Sequence, residues 1–279
     1  MPVLIAVPHA GRLYPPALLA MMRYPEAAGP RLEDRFIDLV AEAVARETAA
    51  ALLVADAPRA MIDLNRAPDD VDWEMVAGAP WPEVVRWSAG RRARSGLGLI
   101  PRRLPGMGEL WKRRLNGEDL AERLASVHQP YHAALSAALE SLRDRWGAAL
   151  LLDLHSMPPL GPKSGADPGP DFVIGDRFGA SCDKALAAAA LDHLAQHHRR
   201  AAHNRPYAGG FVLDRHGTPA RGIHAMQVEV CRTTYLDIEF REPGPGMQST
   251  IEIVAGLVRR MAGVLADLAG VPAWPQAAE

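Results

Sequence analysis

The chain predicts an α/β fold, a single domain (residues 1–279) with a mixed, mostly parallel central sheet flanked by helices. Three observations predict it. The run Ala149-Leu150-Leu151-Leu152-Asp153-Leu154-His155-Ser156-Met157 starts apolar and empties into Pro158-Pro159, the pattern of a strand buried on both faces. Val3-Leu4-Ile5-Ala6-Val7 repeats it and closes on Pro8-His9-Ala10-Gly11. Between such runs lie segments whose apolar residues recur every three to four positions, the helical period. A chain of 279 residues is long enough to bury one large core of this kind.

A formal charge of −2 gives no global attraction to nucleic acid or to acidic membranes, so neither is an expected partner. Two cysteines, Cys182 and Cys231, are too few for a disulfide framework or a four-cysteine zinc site, and read as buried thiols in a reducing compartment. No stretch reaches about 18 uninterrupted apolar residues, and no secretory leader is evident at the N-terminus. The expectation is a soluble cytoplasmic protein with a small-molecule partner. Oligomeric state is not written in these features.

In chain order, the loop after His9 passes through Tyr14-Pro15-Pro16 to a short helix. From Arg31 the pattern turns helical, with Leu32, Phe36, Leu39, Val40 and Ala43 on one face and Asp34 and Asp38 stacked one turn apart on another. Ala50–Ala55 is a further strand. Beyond it, Asp63, Asn65, Arg59 and Arg66 sit among apolar residues, a set costly to bury singly but able to hold one another and a ligand carboxylate. Residues 71–105 carry Trp73, Trp81 and Trp87 among prolines, glycines and arginines, and read as an insertion or a lid, with Gly96–Pro101 as a short strand leaving it.

Asn116 or Asp119 caps a long helix over 117–146, broken or kinked at Pro130. His128 and His132 lie four apart on it, without the acidic residue between them that metalloprotease helices use, so surface or supporting roles are favoured over ligation. Phe172–Asp176 is another strand, 180–196 an alanine-rich helix, and His197, His198 and His203 a basic tail behind it. Gly209 and Gly210 let a backbone approach a ligand closely. Ile223–Arg232 alternates so that Gln227, Glu229 and Cys231 share a face, and 247–268 closes the chain as a helix.

The chemistry gathers at strand ends, where open α/β sheets bind ligands. His9 and His155, with an acid from the Asp34 segment, make a set of two imidazoles and one carboxylate that suits zinc with a position left open for water. Zinc lowers the pKa of water to about 7 and polarises a carbonyl, and the reaction then needs a nearby base. A glutamate inside a core strand is costly unless it has a cation, a metal or a chemical job, which makes Glu229 the candidate base. A serine hydrolase is disfavoured, since no Gly-x-Ser-x-Gly elbow occurs.

The segments Val7-Pro8-His9-Ala10-Gly11, Glu33-Asp34-Arg35-Phe36-Ile37-Asp38, Ile62-Asp63-Leu64-Asn65-Arg66, Asp153-Leu154-His155-Ser156, Pro206-Tyr207-Ala208-Gly209-Gly210 and His224-Ala225-Met226-Gln227-Val228-Glu229 resemble, in order, those of the N-formylglutamate amidohydrolase family. The resemblance implies a zinc-dependent hydrolase similar in fold to zinc carboxypeptidases, which cleaves N-formyl-L-glutamate, or a related N-acyl amino acid, in histidine catabolism. It implies His9, Asp34 and His155 as Zn2+ ligands, with Glu33 or Asp38 as alternative acids. It also implies Asn65 and Arg66 on the substrate carboxylate and Glu229 as base, and Arg59, Gly209 and Gly210 complete the candidate substrate-binding residues. The alternatives are a non-catalytic amino-acid-binding protein on the same fold and a carboxypeptidase-like peptidase.

Overall fold

The structure is a computed structural model that describes residues 1–78, 91–162, 165 and 168–270. Trp81 and Trp87, and residues 79–90 of the expected lid, lie outside the described residues. The described chain forms two compact units. The first comprises Met1–Val7, Arg35–Val54 and the chain from Leu135 on; the second comprises Pro8–Asp34 and Ala55–Ala134.

The first unit holds a six-stranded sheet of β1 (Val3–Val7), β2 (Ala51–Val54), β3 (Ala149–Met157), β4 (Phe172–Gly175), β5 (Ala201–His203) and β6 (Ile223–Cys231). The strand order is β2-β1-β3-β6-β4-β5. β2, β1, β3 and β6 run parallel, and β4 pairs antiparallel to β6, which makes the sheet mixed but mostly parallel as expected. Every residue of β3 and β6 is buried, because both strands are central and covered on both faces. In β3 the strand runs two residues past His155 before the double proline ends it. Three helices follow β1 in turn, α1 (Pro16–Met21), α2 (Pro25–Leu32) and α3 (Ile37–Thr48), and α3 buries Ile37, Val40, Ala41, Val44 and Thr48, one stripe at helical spacing. The closing helix (Met247–Ala269) packs its own stripe, which includes Ile251, Val254, Val258 and Leu265, against α3 and against the helix Lys184–Gln196.

Four local features differ from expectation. The helix expected from Arg31 is two helices, α2 (Pro25–Leu32) and α3, because Phe36 adopts a left-handed φ of 58° and breaks the ladder between them. Asp34 lies in that break, so it is not stacked on Asp38. Gly96–Pro101 is a turn closed by a single Leu97–Pro101 bridge. The alanine-rich helix begins at Lys184, where the Asp183 side chain caps it by accepting from the Ala185 amide at 2.8 Å. The stretch read as a basic tail contains β5, a three-residue edge strand.

The second unit is made of the excursions that leave β1 and β2 at their carboxyl ends. Within it, Gly11 admits no side chain, since a Cβ there would collide with the Ala57 backbone carbonyl. Asn116 caps the helix Gly117–Arg123, accepting from the Glu118 amide at 3.3 Å. The chain continues through one π-type turn (Leu124–His128) into the helix Gln129–Trp146. Pro130 has no amide hydrogen, and the widened turn just before it is where the regular bonding shifts. No described helix is long and apolar enough to cross a membrane.

Candidate metal centre

β1 and β3 are neighbours in the sheet, with Ala6 opposite Asp153. His9 follows β1 by two residues and His155 lies in the last three residues of β3, so both emerge at one carboxyl edge. Both are buried, at 2% and 3% exposure. The break before α3 brings the third group in: the Asp34 amide donates to the His9 carbonyl at 2.8 Å, and Asp34 Oδ2 lies 3.5 Å from His9 Nδ1. His9, Asp34 and His155 each offer one ligand atom, and these atoms lie within 4.8 Å of one another. Glu33 and Asp38 are also buried, but neither belongs to this group among the described residues.

Each imidazole is held from behind by a carboxylate. His9 Nε2 donates to Asp63 Oδ1 at 2.7 Å, and His155 Nε2 donates to Asp153 Oδ2 at 2.9 Å. A neutral imidazole that donates at Nε2 keeps its lone pair at Nδ1, so these bonds favour the tautomer whose Nδ1 suits a metal. Asp153 Oδ1 is buried with no hydrogen-bond partner among the described residues. A buried carboxylate satisfied at only one oxygen is costly unless a positive charge lies close, and a cation on the far side of His155 would supply it. The residues present therefore fit a divalent metal. Their two nitrogens and one carboxylate match the donor set of a zinc site with an open position.

Asp63 also organises the basic residues of its own unit. Arg59 Nε and Nη2 both reach Asp63 Oδ2 at 2.9 Å, and Arg66 Nε lies 3.8 Å from it. Burial pushes the Asp63 carboxyl upward, but Arg59, His9 and Arg66 more than offset this and hold it well below the usual carboxylate range. The Asn65 amide donates to Asp63 Oδ1 at 2.9 Å, and Arg66 Nε donates to the Leu97 carbonyl at 3.1 Å. Beneath this loop, His128 Nε2 donates to the Arg66 carbonyl at 2.9 Å and His132 Nε2 to the Leu64 carbonyl at 3.0 Å. The histidine pair is thus a buried support for the Asn65–Arg66 backbone.

In the first unit, Glu229 stands directly opposite His155 in the β6–β3 register. It is 8% exposed, and Gln227, on the same face, donates to Glu229 Oε1 at 2.8 Å. Gly209 has a φ of 101°, and a Cβ there would collide with the Leu213 side chain. Gly210 precedes the helix Phe211–His216. For Gly209, then, backbone conformation and packing already account for the glycine.

Sequence reasoning did not single out Asp153 or the link from Asp63 to His9. For Asp153 a signal was present, since an acid two residues before a strand histidine projects to the same face. For Asp63 there was none beyond charge in an apolar stretch, because its partner is 54 residues away.

Fold and site together define an α/β protein with a buried His–Asp–His group able to take a metal ion. Residues 1–236 match the model of the N-formylglutamate amidohydrolase family, and the chain belongs to that family. It is 34% identical over 249 residues to an N-formylglutamate deformylase of Pseudomonas putida, covering 82% of this chain and 84% of the relative. It is 31% identical to the N-formylglutamate deformylase of Pseudomonas aeruginosa, covering 85% and 83%. The crystal structure of N-formylglutamate amidohydrolase from Ralstonia eutropha JMP134 superposes with a TM-score of 0.81 at 29% identity, covering 96% of this chain and 93% of that one.

Proposed function

We propose that this chain hydrolyses the amide bond of N-formyl-L-glutamate or a closely related N-acyl amino acid, releasing formate, or another acid, and the free amino acid. The activity named for its two Pseudomonas relatives supports the reaction class. The observation that carries the reading is the paired anchoring of His9 by Asp63 and of His155 by Asp153, beside Asp34. His9, Asp34 and His155 would hold a Zn2+ ion, whose contribution when bound is Lewis-acid polarisation of the formyl carbonyl and of a water.

The remaining tasks fall to the side chains. Glu229 takes the proton of the attacking water as the new C–O bond forms, then delivers it to the departing amine as the C–N bond breaks. Its bond from Gln227 holds one carboxylate oxygen in place. Arg66 and Asn65, with Arg59, bind the α-carboxylate, and Asp63 keeps both guanidiniums in place between turnovers. The Gly209-Gly210 backbone would approach the substrate closely. Such a hydrolase would work on a small cytoplasmic metabolite of histidine catabolism, on a fold similar to that of zinc carboxypeptidases.

The test is direct. Incubation with N-formyl-L-glutamate should release formate and glutamate in equal amounts, and dialysis against a chelator should abolish the release until zinc is restored. Tight binding of the substrate with no formate released would instead make the chain an amino-acid-binding protein on the same fold.

A further inference from the structure

Residues 72–76, 102–103 and 111–114, with Arg23, Arg94 and Glu109, line a cavity of about 1070 Å³ wholly within the second unit. Among the described residues, none of those lining it belongs to the metal group or to the cluster around Asp63. Its walls are tied together by backbone. Met22 bridges to Trp111, with the Arg23 amide donating to the Leu110 carbonyl at 2.8 Å and the Lys112 amide to the Met21 carbonyl at 2.9 Å. Val76 pairs in parallel with Leu115, and Arg103 pairs with Glu109 across a short antiparallel hairpin.

The lining holds seven guanidinium or ammonium groups against three carboxylates, a surplus of four positive charges in a chain whose formal charge is −2. All three carboxylates converge on one of the seven. Arg102 Nη1 lies 2.9 Å from Asp72 Oδ2 and 2.9 Å from Glu74 Oε2, and its Nε lies 3.1 Å from Glu109 Oε2. Arg23 Nε donates to the Trp111 carbonyl at 2.8 Å and Lys112 Nζ to the Ala20 carbonyl at 2.9 Å, which orients both cations without neutralising either. Arg113 and Arg114 follow Lys112, exposed, in the same lining. Like charges gathered in one concavity repel one another, and a bound polyanion relieves that repulsion.

Two indoles complete the lining. Trp111 is buried and fixed, with its Nε1 donating to the Pro101 carbonyl at 2.6 Å and the Arg123 guanidinium 5.9 Å from its ring centroid. Trp73 is half-buried. Small-molecule sites occupy roughly 300–1,000 Å³, so a lone phosphate would leave most of this cavity unfilled. From its charge, its size and its aromatic wall, we infer that the cavity binds a nucleoside diphosphate or triphosphate, with the phosphates on Arg23, Arg113 and Arg114 and the base against Trp73. Guanidinium forks take phosphate oxygens in pairs, and an indole face accepts any planar base. This site goes beyond the amide hydrolysis proposed above and does not depend on it.

The test is isothermal titration calorimetry on the zinc-loaded full chain at low ionic strength, with ADP, inorganic pyrophosphate and citrate as titrants. Wild type should bind one ADP per chain, about fivefold or more tighter than pyrophosphate, because the base adds stacking to the phosphate contacts. Citrate, a carboxylate trianion that tests for charge alone, should bind more weakly than pyrophosphate. The double variant Arg113→Gln with Arg114→Gln alters two exposed side chains and should fold. It should weaken ADP and pyrophosphate alike, by roughly tenfold or more. Trp73→Leu should bring ADP down toward pyrophosphate and leave pyrophosphate within about twofold of wild type. If that variant does not fold, the ratio of ADP to pyrophosphate affinity in wild type decides on the base. No saturable binding to wild type, or unchanged binding in the double variant, would overturn the inference. Citrate as tight as pyrophosphate would overturn the choice of phosphate, and ADP no tighter than pyrophosphate would overturn the choice of a nucleotide. Polyphosphates also coordinate bound metal, so His155→Ala is the control: retained ADP binding supports the cavity, whereas lost binding moves the ligand to the metal centre and overturns it. Excess N-formyl-L-glutamate should leave ADP bound, and displacement would likewise count against a separate site.

Discussion

His9 Nε2 and Asp63 Oδ1 are 2.7 Å apart, although 54 residues separate them in the chain. This bond joins the candidate metal ligand to the carboxylate that also holds Arg59 and Arg66, so the metal group and the basic cluster share one anchor. Asp63→Asn keeps the shape but removes the charge and frees His9 to change tautomer. Metal affinity should fall by roughly 10–100-fold, the usual scale for such supporting carboxylates. Competition against a chelator of known affinity reads this out, and an unchanged dissociation constant would detach Asp63 from the metal group.

Arg66 donates through Nε to the Leu97 carbonyl, and the same nitrogen lies 3.8 Å from Asp63 Oδ2. Arg66→Lys keeps the charge without the fork, so KM for N-formyl-L-glutamate should rise by about tenfold or more, with a smaller fall in kcat as the substrate is held less well. Steady-state kinetics on the metal-loaded variant checks this. Unaltered kinetics would move the carboxylate clamp to Arg59.

Burial pushes the His216 imidazole down to about 4, with Arg215 adding to the effect. The unfolded chain takes up a proton near pH 6.5 and the folded chain does not until about pH 4. Stability should therefore be full above pH 6.5, decline as pH falls between those values, and level off below them. From this residue alone the loss between pH 7.5 and 5 is about 2 kcal/mol. Urea unfolding of wild type and His216→Gln at both pH values measures it. The variant should show a smaller drop, and an identical drop in both proteins would remove His216 as the cause.

Much of this architecture is legible from residue order, for a physical reason. β1, β3 and β6 are buried throughout, so they appear as apolar runs whose ends can be located, and His9 and His155 stand out because they sit at those ends. β5 escapes notice because a three-residue, partly exposed edge strand needs no apolar run. The break at Phe36 escapes for another reason. An aromatic residue with a φ of 58° is held there by its surroundings, including the Arg35 guanidinium 4.7 Å above its ring, and no local propensity announces it. Asp34 reaches His9 only because of that break, so the identity of the acid could not follow from a helical period. Asp63 is likewise defined by a contact across distant sequence.

Glu229 is separable from the metal group by substitution. Glu229→Gln preserves size and the contact with Gln227 in altered form but cannot accept the proton. The fold and metal content should stay near wild type while kcat falls by roughly 10²–10⁴-fold, the scale of general-base loss, and KM changes much less. Wild-type turnover in this variant would exclude the base assignment, and loss of metal together with unfolding would make Glu229 structural.

The most direct measurement is metal stoichiometry on purified protein by elemental mass spectrometry, for wild type and for His9→Ala, Asp34→Ala, His155→Ala and the control His197→Ala. The ligand atoms of His9, Asp34 and His155 lie within 4.8 Å of one another, and His197 is not part of that group. The account predicts one zinc ion per chain in wild type and in His197→Ala, with most of it lost in each of the other three while the circular dichroism spectrum stays native. Full zinc occupancy in His155→Ala, or loss equally severe in His197→Ala, would contradict it.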